Sequence, residues 1–442
     1  MPVLNRHVLF VVCLLVACFV PTTVLAEDDG EPPEEDEASS EWAIEFGGYG
    51  QLDFAWLNYG PDPTRDGGAR RDSRLVFNQT RFVFEIEGEM PLELEFEAEI
   101  EYEHGGTGAA LELEYEEFGE YEQEVEKGGE VLVEELYLKK GFFDEALSVK
   151  IGRFYTAVGL LSGYYKPTDY LAAGRPESET TVIPAVWDEM GLEVSYDADV
   201  VEVTGQLLNG LDSTGFGSRG WISGGHHRRF GDIRATALAG VLRADVRPVD
   251  GLELGVSGYY GATSANRPKP DMTLECDESN DDTVAPCGYL DAPVMIGDVH
   301  AAYDSRAVRA RALLLYGHLD NADVITERNR SLANALEVPR TDVSDNAIAA
   351  WAEFGWNLAS VLDIDERHRI EPYVRGEYYD TAFNPRDSMP DLPRFESYIA
   401  TGGASYTWAN QVAMKLDYTH RWFGSQDLRQ QDEVTLSANF VF

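Results

Sequence analysis

Residues Leu92-Glu93-Leu94-Glu95-Phe96-Glu97-Ala98-Glu99-Ile100-Glu101-Tyr102-Glu103 set an apolar residue at every even position and a glutamate at every odd one. The period is two, at which a β-strand sends successive side chains to opposite faces. A helix would mix the two kinds on every side. Glutamates about 7 Å apart along one face repel one another unless water or cations lie against them, so that face must be wet. The other face is as apolar as a membrane strand, and twelve residues suit a tilted strand crossing a bilayer. The pattern predicts one wall of a water-filled barrel.

The start of the chain bears on its destination. Arg6 and His7 precede an apolar run from Val8 to Val20, then Pro21 and Val24-Leu25-Ala26, before an abruptly acidic segment. This reads as a secretory signal peptide, residues 1–26. Leu15-Val16-Ala17-Cys18 offers a competing cut before a lipidated Cys18. No later apolar run reaches the roughly 18 residues a membrane helix needs.

Loss of Arg6 takes the formal net charge from −44 to −45. Such acidity argues against nucleic-acid binding, which wants a basic face. Residues 27–41 are acidic and nearly without apolar groups, as in a disordered leader, and 42–442 form the barrel. Cys276 and Cys287 lie in a polar segment and suit a local loop disulfide in an oxidising compartment.

Period-two runs recur. Trp42, Ile44, Phe46, Leu52, Phe54 and Trp56 share one parity, and Val76, Phe82, Phe84 and Ile86 the next; the glutamate strand is third. Further candidates are 131–140, 147–154, 189–197, 199–208, 233–246, 251–262, 292–303, 306–318, 346–358, 367–380, 395–407, 411–421 and 432–442, making sixteen. Leu111 to Phe118 are read as extending a hairpin within the connection 105–130. Eight long connections alternate with seven short turns. The fold class is therefore all-β: a transmembrane antiparallel up-and-down barrel, short turns at the periplasmic end and long loops outside. An even strand number closes the sheet and removes the edge lipid would not tolerate.

The last strand, Val434 to Phe442, alternates and ends on phenylalanine. It resembles the strand by which bacterial outer-membrane proteins are handed to the barrel-assembly machinery. Leu147-Ser148-Val149-Lys150-Ile151-Gly152-Arg153-Phe154-Tyr155-Thr156-Ala157-Val158-Gly159-Leu160, Val201-Glu202-Val203-Thr204-Gly205-Gln206-Leu207-Leu208-Asn209-Gly210 and Glu371-Pro372-Tyr373-Val374-Arg375-Gly376-Glu377-Tyr378-Tyr379-Asp380 resemble segments of the phosphate-selective porin O and P family. The resemblance implies a sixteen-stranded, homotrimeric outer-membrane porin with a basic lining and a third loop folded inward as a constriction. Loop 155–188 occupies that place and offers Lys166, Asp169 and Arg175. The glutamate face departs from a basic lining, so phosphate selectivity is not carried over.

With apolar parities toward lipid, the opposite parities give the pore wall: Glu93, Glu95, Glu97, Glu99, Glu101 and Glu103 on strand three, Arg81 and Glu85 on strand two, and Glu135 and Lys139 on strand four. Arg309 and Arg311 come from strand eleven, Arg375 and Glu377 from thirteen, Lys415 and Arg421 from fifteen. Strands three and eleven lie opposite in a ring of sixteen, so a carboxylate wall would face an arginine pair and set a field across the water column. A plain solvated surface is the alternative.

Trp42, Trp56, Trp351, Trp356, Trp408 and Trp422 suit membrane-interface girdles. His226-His227-Arg228-Arg229 in the fourth long loop suits an exposed charge cluster, or contact with lipopolysaccharide or a trimer neighbour. No Ser/His/acid set, HExxH, GxSxG, CxxC or phosphate-binding glycine loop is present. The expectation is a porin for ions and small hydrophilic solutes, with outer-membrane lipid around it and neither cofactor nor metal. An anion-selective channel and a non-conducting structural or adhesion barrel are the alternatives.

Overall fold

The computed structural model describes residues 43–59, 72–106, 109–114, 122–127, 129–184, 186–227, 230–267, 272–273, 288–332 and 338–442. The expected leader, Trp42, Arg228, Arg229 and the Cys276/Cys287 pair lie outside them.

Sixteen strands close into one antiparallel barrel. The first three are β1 (Ala43–Tyr59), β2 (Asp72–Met90) and β3 (Leu94–Glu103). A hairpin, β4 (Ala109–Glu114) and β5 (Glu122–Lys127), forms a separate two-stranded sheet among the described residues rather than extending the ring. The ring continues with β6 (Val131–Phe142), β7 (Leu147–Tyr155), β8 (Asp188–Asp197), β9 (Val201–Asn209), β10 (Leu238–Val249), β11 (Leu252–Gly261) and β12 (Val294–Asp304). It ends with β13 (Val308–Leu319), β14 (Asn346–Trp356), β15 (His368–Asp380), β16 (Glu396–Trp408), β17 (Val412–Phe423) and β18 (Gln431–Val441). Closure runs through β18 against β1, with Tyr49 opposite Val441 and Asn58 opposite Asp432.

The alternation in the sequence explains the inverted burial. Outward positions are large and apolar: Phe77 is 88 % exposed and Val374 62 %, whereas the inward Glu99 is 0 % exposed. In water this arrangement would be unfavourable; with lipid outside, the closed ladder satisfies the strand backbone internally while apolar side chains face hydrocarbon. Among the described residues no helix is long and apolar enough to cross a membrane.

The interior has two zones, and β13 carries both. Arg309 and Arg311 point inward at its short-turn end; Leu313, Leu315 and Leu319 point inward nearer the long loops. The leucines join a buried apolar cluster with Phe216, Trp221, Ile222 and Met272 from the long loops and Ile325 from α2 (Ala322–Ser331), which follows a shorter helix α1 (Glu177–Val182) in chain order. Gly317 sits where a Cβ would overlap the Trp221 indole, so the loop packs directly on the strand backbone. Part of the ring is thus filled from the long-loop end.

Several boundaries differ from the sequence expectation. Leu92 and Glu93 have φ of 73° and 57° and belong to the turn, so the glutamate strand has ten residues, not twelve. Residues 233–237 precede β10 rather than opening it. Trp351 faces inward and is buried, so it is no interface residue, whereas Trp356, Trp408 and Trp422 are exposed near strand ends as expected.

Candidate pore lumen

The connection between β7 and β8 is bonded to inward side chains around the ring. Gln51 on β1 donates to the Ala173 carbonyl at 2.9 Å, and Lys166 pairs with Glu85 on β2 at 2.8 Å. Gly159 N–H donates to Asp298 on β12 (3.0 Å), Leu171 N–H to Glu353 on β14 (3.1 Å), Ser178 N–H to Glu377 on β15 (2.9 Å) and Ala173 N–H to Asp417 on β17 (2.7 Å). Partners on six strands around the circle place this segment across the interior.

Most of the predicted cationic wall residues hold this loop or pair with acids. Lys415 is 1 % exposed, and its Nζ donates to the carbonyls of Pro167, Tyr170 (2.7 Å) and Ala172 (2.8 Å). Arg375 donates to Gly174 O at 2.9 Å and pairs with Glu377 at 2.9 Å. Arg421 reaches Glu177 at 2.7 Å and Glu433 at 3.0 Å. Arg175 donates to Tyr165 O, and Arg81 lies 3.7 Å from Glu101.

The glutamates separate by height. Glu93 sits exposed in the turn, 3.7 Å from Lys140, and Glu95 pairs with Lys139 at 2.9 Å. Glu97 accepts from the Tyr137 hydroxyl. Glu99 accepts from Tyr49 (3.3 Å) and Tyr155 (3.0 Å), whose hydroxyl also reaches Glu134 at 3.2 Å. Tyr165 of the loop packs against both tyrosine rings, at 4.8 Å from Tyr155 and 6.3 Å from Tyr49. Glu101 is buried, and Glu103 is partly exposed at the far end of β3.

Pairing of β3 with β6 shows a feature the sequence reading missed. Glu99 faces Glu135, but Ile100 faces Val133, leaving Glu134 as a bulge. One extra residue turns two consecutive side chains inward, and both Glu134 and Glu135 are buried inside. The signal was present: Val133-Glu134-Glu135-Leu136 breaks the apolar/polar alternation. Glu97, Glu99 and Glu135 bring carboxylate oxygens within 4.8 Å of one another.

Across the ring, Arg309 pairs with Glu371 at 2.7 Å and donates to Thr168 O at 2.9 Å. Arg311 lies over the Tyr164 ring, Cζ to centroid 4.5 Å. In the loop, burial raises the Asp169 carboxyl above its ordinary value, with Arg311 opposing the rise. Burial pushes the Glu179 carboxyl up to about 7, against hydrogen bonds from Leu161 N–H (2.9 Å), the Trp351 indole (2.8 Å) and Leu160 N–H (2.8 Å).

His226 and His227 are not an exposed patch. His226 Nε2 lies 3.0 Å from Asp188, and His227 Nδ1 lies 3.3 Å from Glu189, with both side chains largely buried.

No family model matches the chain. An uncharacterized protein of Aquifex aeolicus (strain VF5) is 22 % identical over 324 residues, covering 72 % of this chain and 67 % of that protein. Among solved structures, the fold is similar to Salmonella typhi OmpF in complex with daunomycin: 13 % identity, TM-score 0.51, over 90 % of this chain and 97 % of that one. It is also similar to the outer membrane channel DcaP of Acinetobacter baumannii: 10 % identity, TM-score 0.50, over 92 % and 99 %. These similarities establish the shared sixteen-stranded barrel fold.

Proposed function

We propose that this chain is an outer-membrane porin passing ions and small hydrophilic solutes by passive diffusion, with the segment between β7 and β8 as its constriction. The observation that carries the reading is the union of a closed barrel, apolar outside and charged inside, with a loop bonded across its interior. The shared fold with a solved outer membrane channel supports it. Short turns then face the periplasm and long loops the outside. A homotrimer, surrounding lipid and lipopolysaccharide, and assembly through the strand ending at Phe442 belong to the same proposal, carried by the sequence resemblance.

Selectivity in this reading arises from an asymmetric wall. Glu97 and Glu99 on β3 and Glu134 and Glu135 on β6 line one side, and Arg309 and Arg311 on β13 the side eight and seven strands away. Because Arg309 is paired with Glu371, the unbalanced charge lies on the acidic side, and fixed charge beside a narrow water column biases which ions enter.

A second reading, a non-conducting structural barrel, draws on the apolar cluster filling part of the ring and on Tyr49, Tyr155 and Tyr165 over Glu99. Planar-bilayer recording of the refolded chain separates the two. Discrete current steps support the porin; a silent bilayer containing correctly folded protein supports the plugged barrel.

A further inference from the structure

A cavity of about 340 Å³ opens beneath the constriction loop on the arginine side, lined by Thr168, Asp169, Asp304, Arg309, Arg311, Arg369 and Asn410. Its size falls within the range of small-molecule sites. Two of its arginines are already engaged: Arg309 with Glu371 at 2.7 Å, and Arg369 with Glu371 at 2.9 Å and Asp304 at 3.3 Å. Arg311 differs. It is 6 % exposed, its ring contact with Tyr164 supplies no anion, and its Nε and Nη1 have no hydrogen-bond partner. Arg311 faces Glu353 across the strands and Asp169 across the cavity without bonding to either, and buried N–H donors left without an acceptor are costly, so a ligand carboxylate there would fill a real hydrogen-bond deficit.

The loop provides the opposite charge. Asp169 accepts the Lys166 N–H at 3.0 Å and, though Arg311, Lys166 and Arg309 act on it through space, no cation among the described residues comes within 4.0 Å of its carboxylate. Arg311 projects from the wall and Asp169 from the loop, both lining one cavity. The local sum is neutral: Arg309, Arg311 and Arg369 against Asp169, Asp304 and Glu371. A dianion would leave this balance negative. A solute carrying one carboxylate and one ammonium satisfies both unpaired groups and leaves the sum unchanged.

We propose that the Arg311–Asp169 cavity is a binding subsite for small zwitterionic solutes of the α-amino-acid class, the carboxylate on Arg311 and the ammonium on Asp169. This deepens the porin reading and rests on it for its role in transport, though binding can be measured without conduction.

The test uses the refolded full chain in detergent, probed by saturation-transfer NMR with L-alanine, with propionate lacking the ammonium, ethylamine lacking the carboxylate, and inorganic phosphate. The expected result is L-alanine binding at least tenfold tighter than any of the other three. D169N should bring L-alanine down to the level of propionate, and R311Q should remove both, while R311K restores part of the loss. Should R311Q fail to fold, D169N on the loop carries the test alone. Phosphate or propionate binding as tightly as L-alanine would overturn the proposal in favour of a plain anion site, and so would L-alanine binding unaffected by D169N. Liposome swelling in erythritol, an uncharged solute, reports separately on the porin: no swelling removes the transport role and leaves the binding result standing.

Discussion

Glu179 on α1 accepts a 2.8 Å hydrogen bond from the indole Nε1 of Trp351 on β14, tying the loop to the barrel wall. The other carboxylate oxygen accepts Leu160 N–H and Leu161 N–H at 2.8 and 2.9 Å, so one side chain joins the entry of the loop, its helix and a strand. Burial raises this carboxyl from its ordinary 4.5 to about 7. A folded-state pKa above the unfolded value gives a contribution that is complete below the unfolded pKa and lost as pH rises through the folded one. Stability should therefore fall between about pH 4.5 and pH 7, and Glu179→Gln should flatten that fall. Thermal unfolding midpoints across this range check it; an identical profile in the variant would show that other groups set the pH dependence.

Lys415→Met should loosen the loop at its far side. The ammonium satisfies three carbonyls, of Pro167, Tyr170 and Ala172, and each buried acceptor left unmade costs roughly 1–3 kcal/mol, less what water recovers. Faster amide exchange at 170–173, without change in the strands, is the expected outcome. Unaltered exchange there would mean that the hydrogen bonds to Gln51, Glu353 and Asp417 suffice.

Glu97→Gln combined with Glu135→Gln replaces two carboxyl groups of the cluster with uncharged amides while preserving shape. If this wall biases permeation, the reversal potential in a salt gradient should move toward anions, on the side of Arg309 and Arg311. A potential unchanged by the double substitution would reduce the row to a solvated surface without a role in selectivity.

Gly317→Val tests the packed part of the ring. Any Cβ at this position meets the Trp221 indole, whose Nε1 donates to Ser344 O at 2.9 Å. Overpacking of this kind typically costs about 1–3 kcal/mol. A lower unfolding midpoint and a shifted tryptophan emission are expected; wild-type values for both would mean that the loop does not rest on β13.

The strand number, the ring order and the inward face of the glutamates were legible because period two persists along each wall, and Phe54, Glu99 and Val374 each obey it; that this face is wet along its length did not hold, since Glu99 is fully buried beneath Tyr49 and Tyr155. The inward arginines followed from the same parity. What they bind did not, since parity says which face a side chain takes and nothing of its partner. Lys415 reads as a water-facing cation and instead caps carbonyls of a loop 243 residues or more away in sequence. Trp351 reads as an interface aromatic because its own strand is apolar, and only the loop's Glu179 reveals an inward polar partner. The bulge at Glu134 was visible as a broken alternation, but its effect, a further buried carboxylate beside Glu85, Glu99, Glu101 and Glu135, required the pairing of β3 with β6.

Val374 and Arg375 are neighbours on β15 with opposite fates, and substitution at Val374 tests the membrane assignment itself. Val374 lies midway along a strand of 13 residues and points outward, 62 % exposed, while Arg375 points inward to Glu353 and Glu377. On a soluble barrel, Val374→Arg would replace an exposed apolar group with a solvated charge at little cost. Facing hydrocarbon at the bilayer midplane, the same change costs roughly 2–4 kcal/mol. Reversible folding into lipid vesicles, compared with folding of the same variant in urea-diluted detergent, should show the penalty in the bilayer. A variant folding into vesicles as well as the parent would mean that this face does not meet lipid, and the orientation of the whole wall would have to be reassigned.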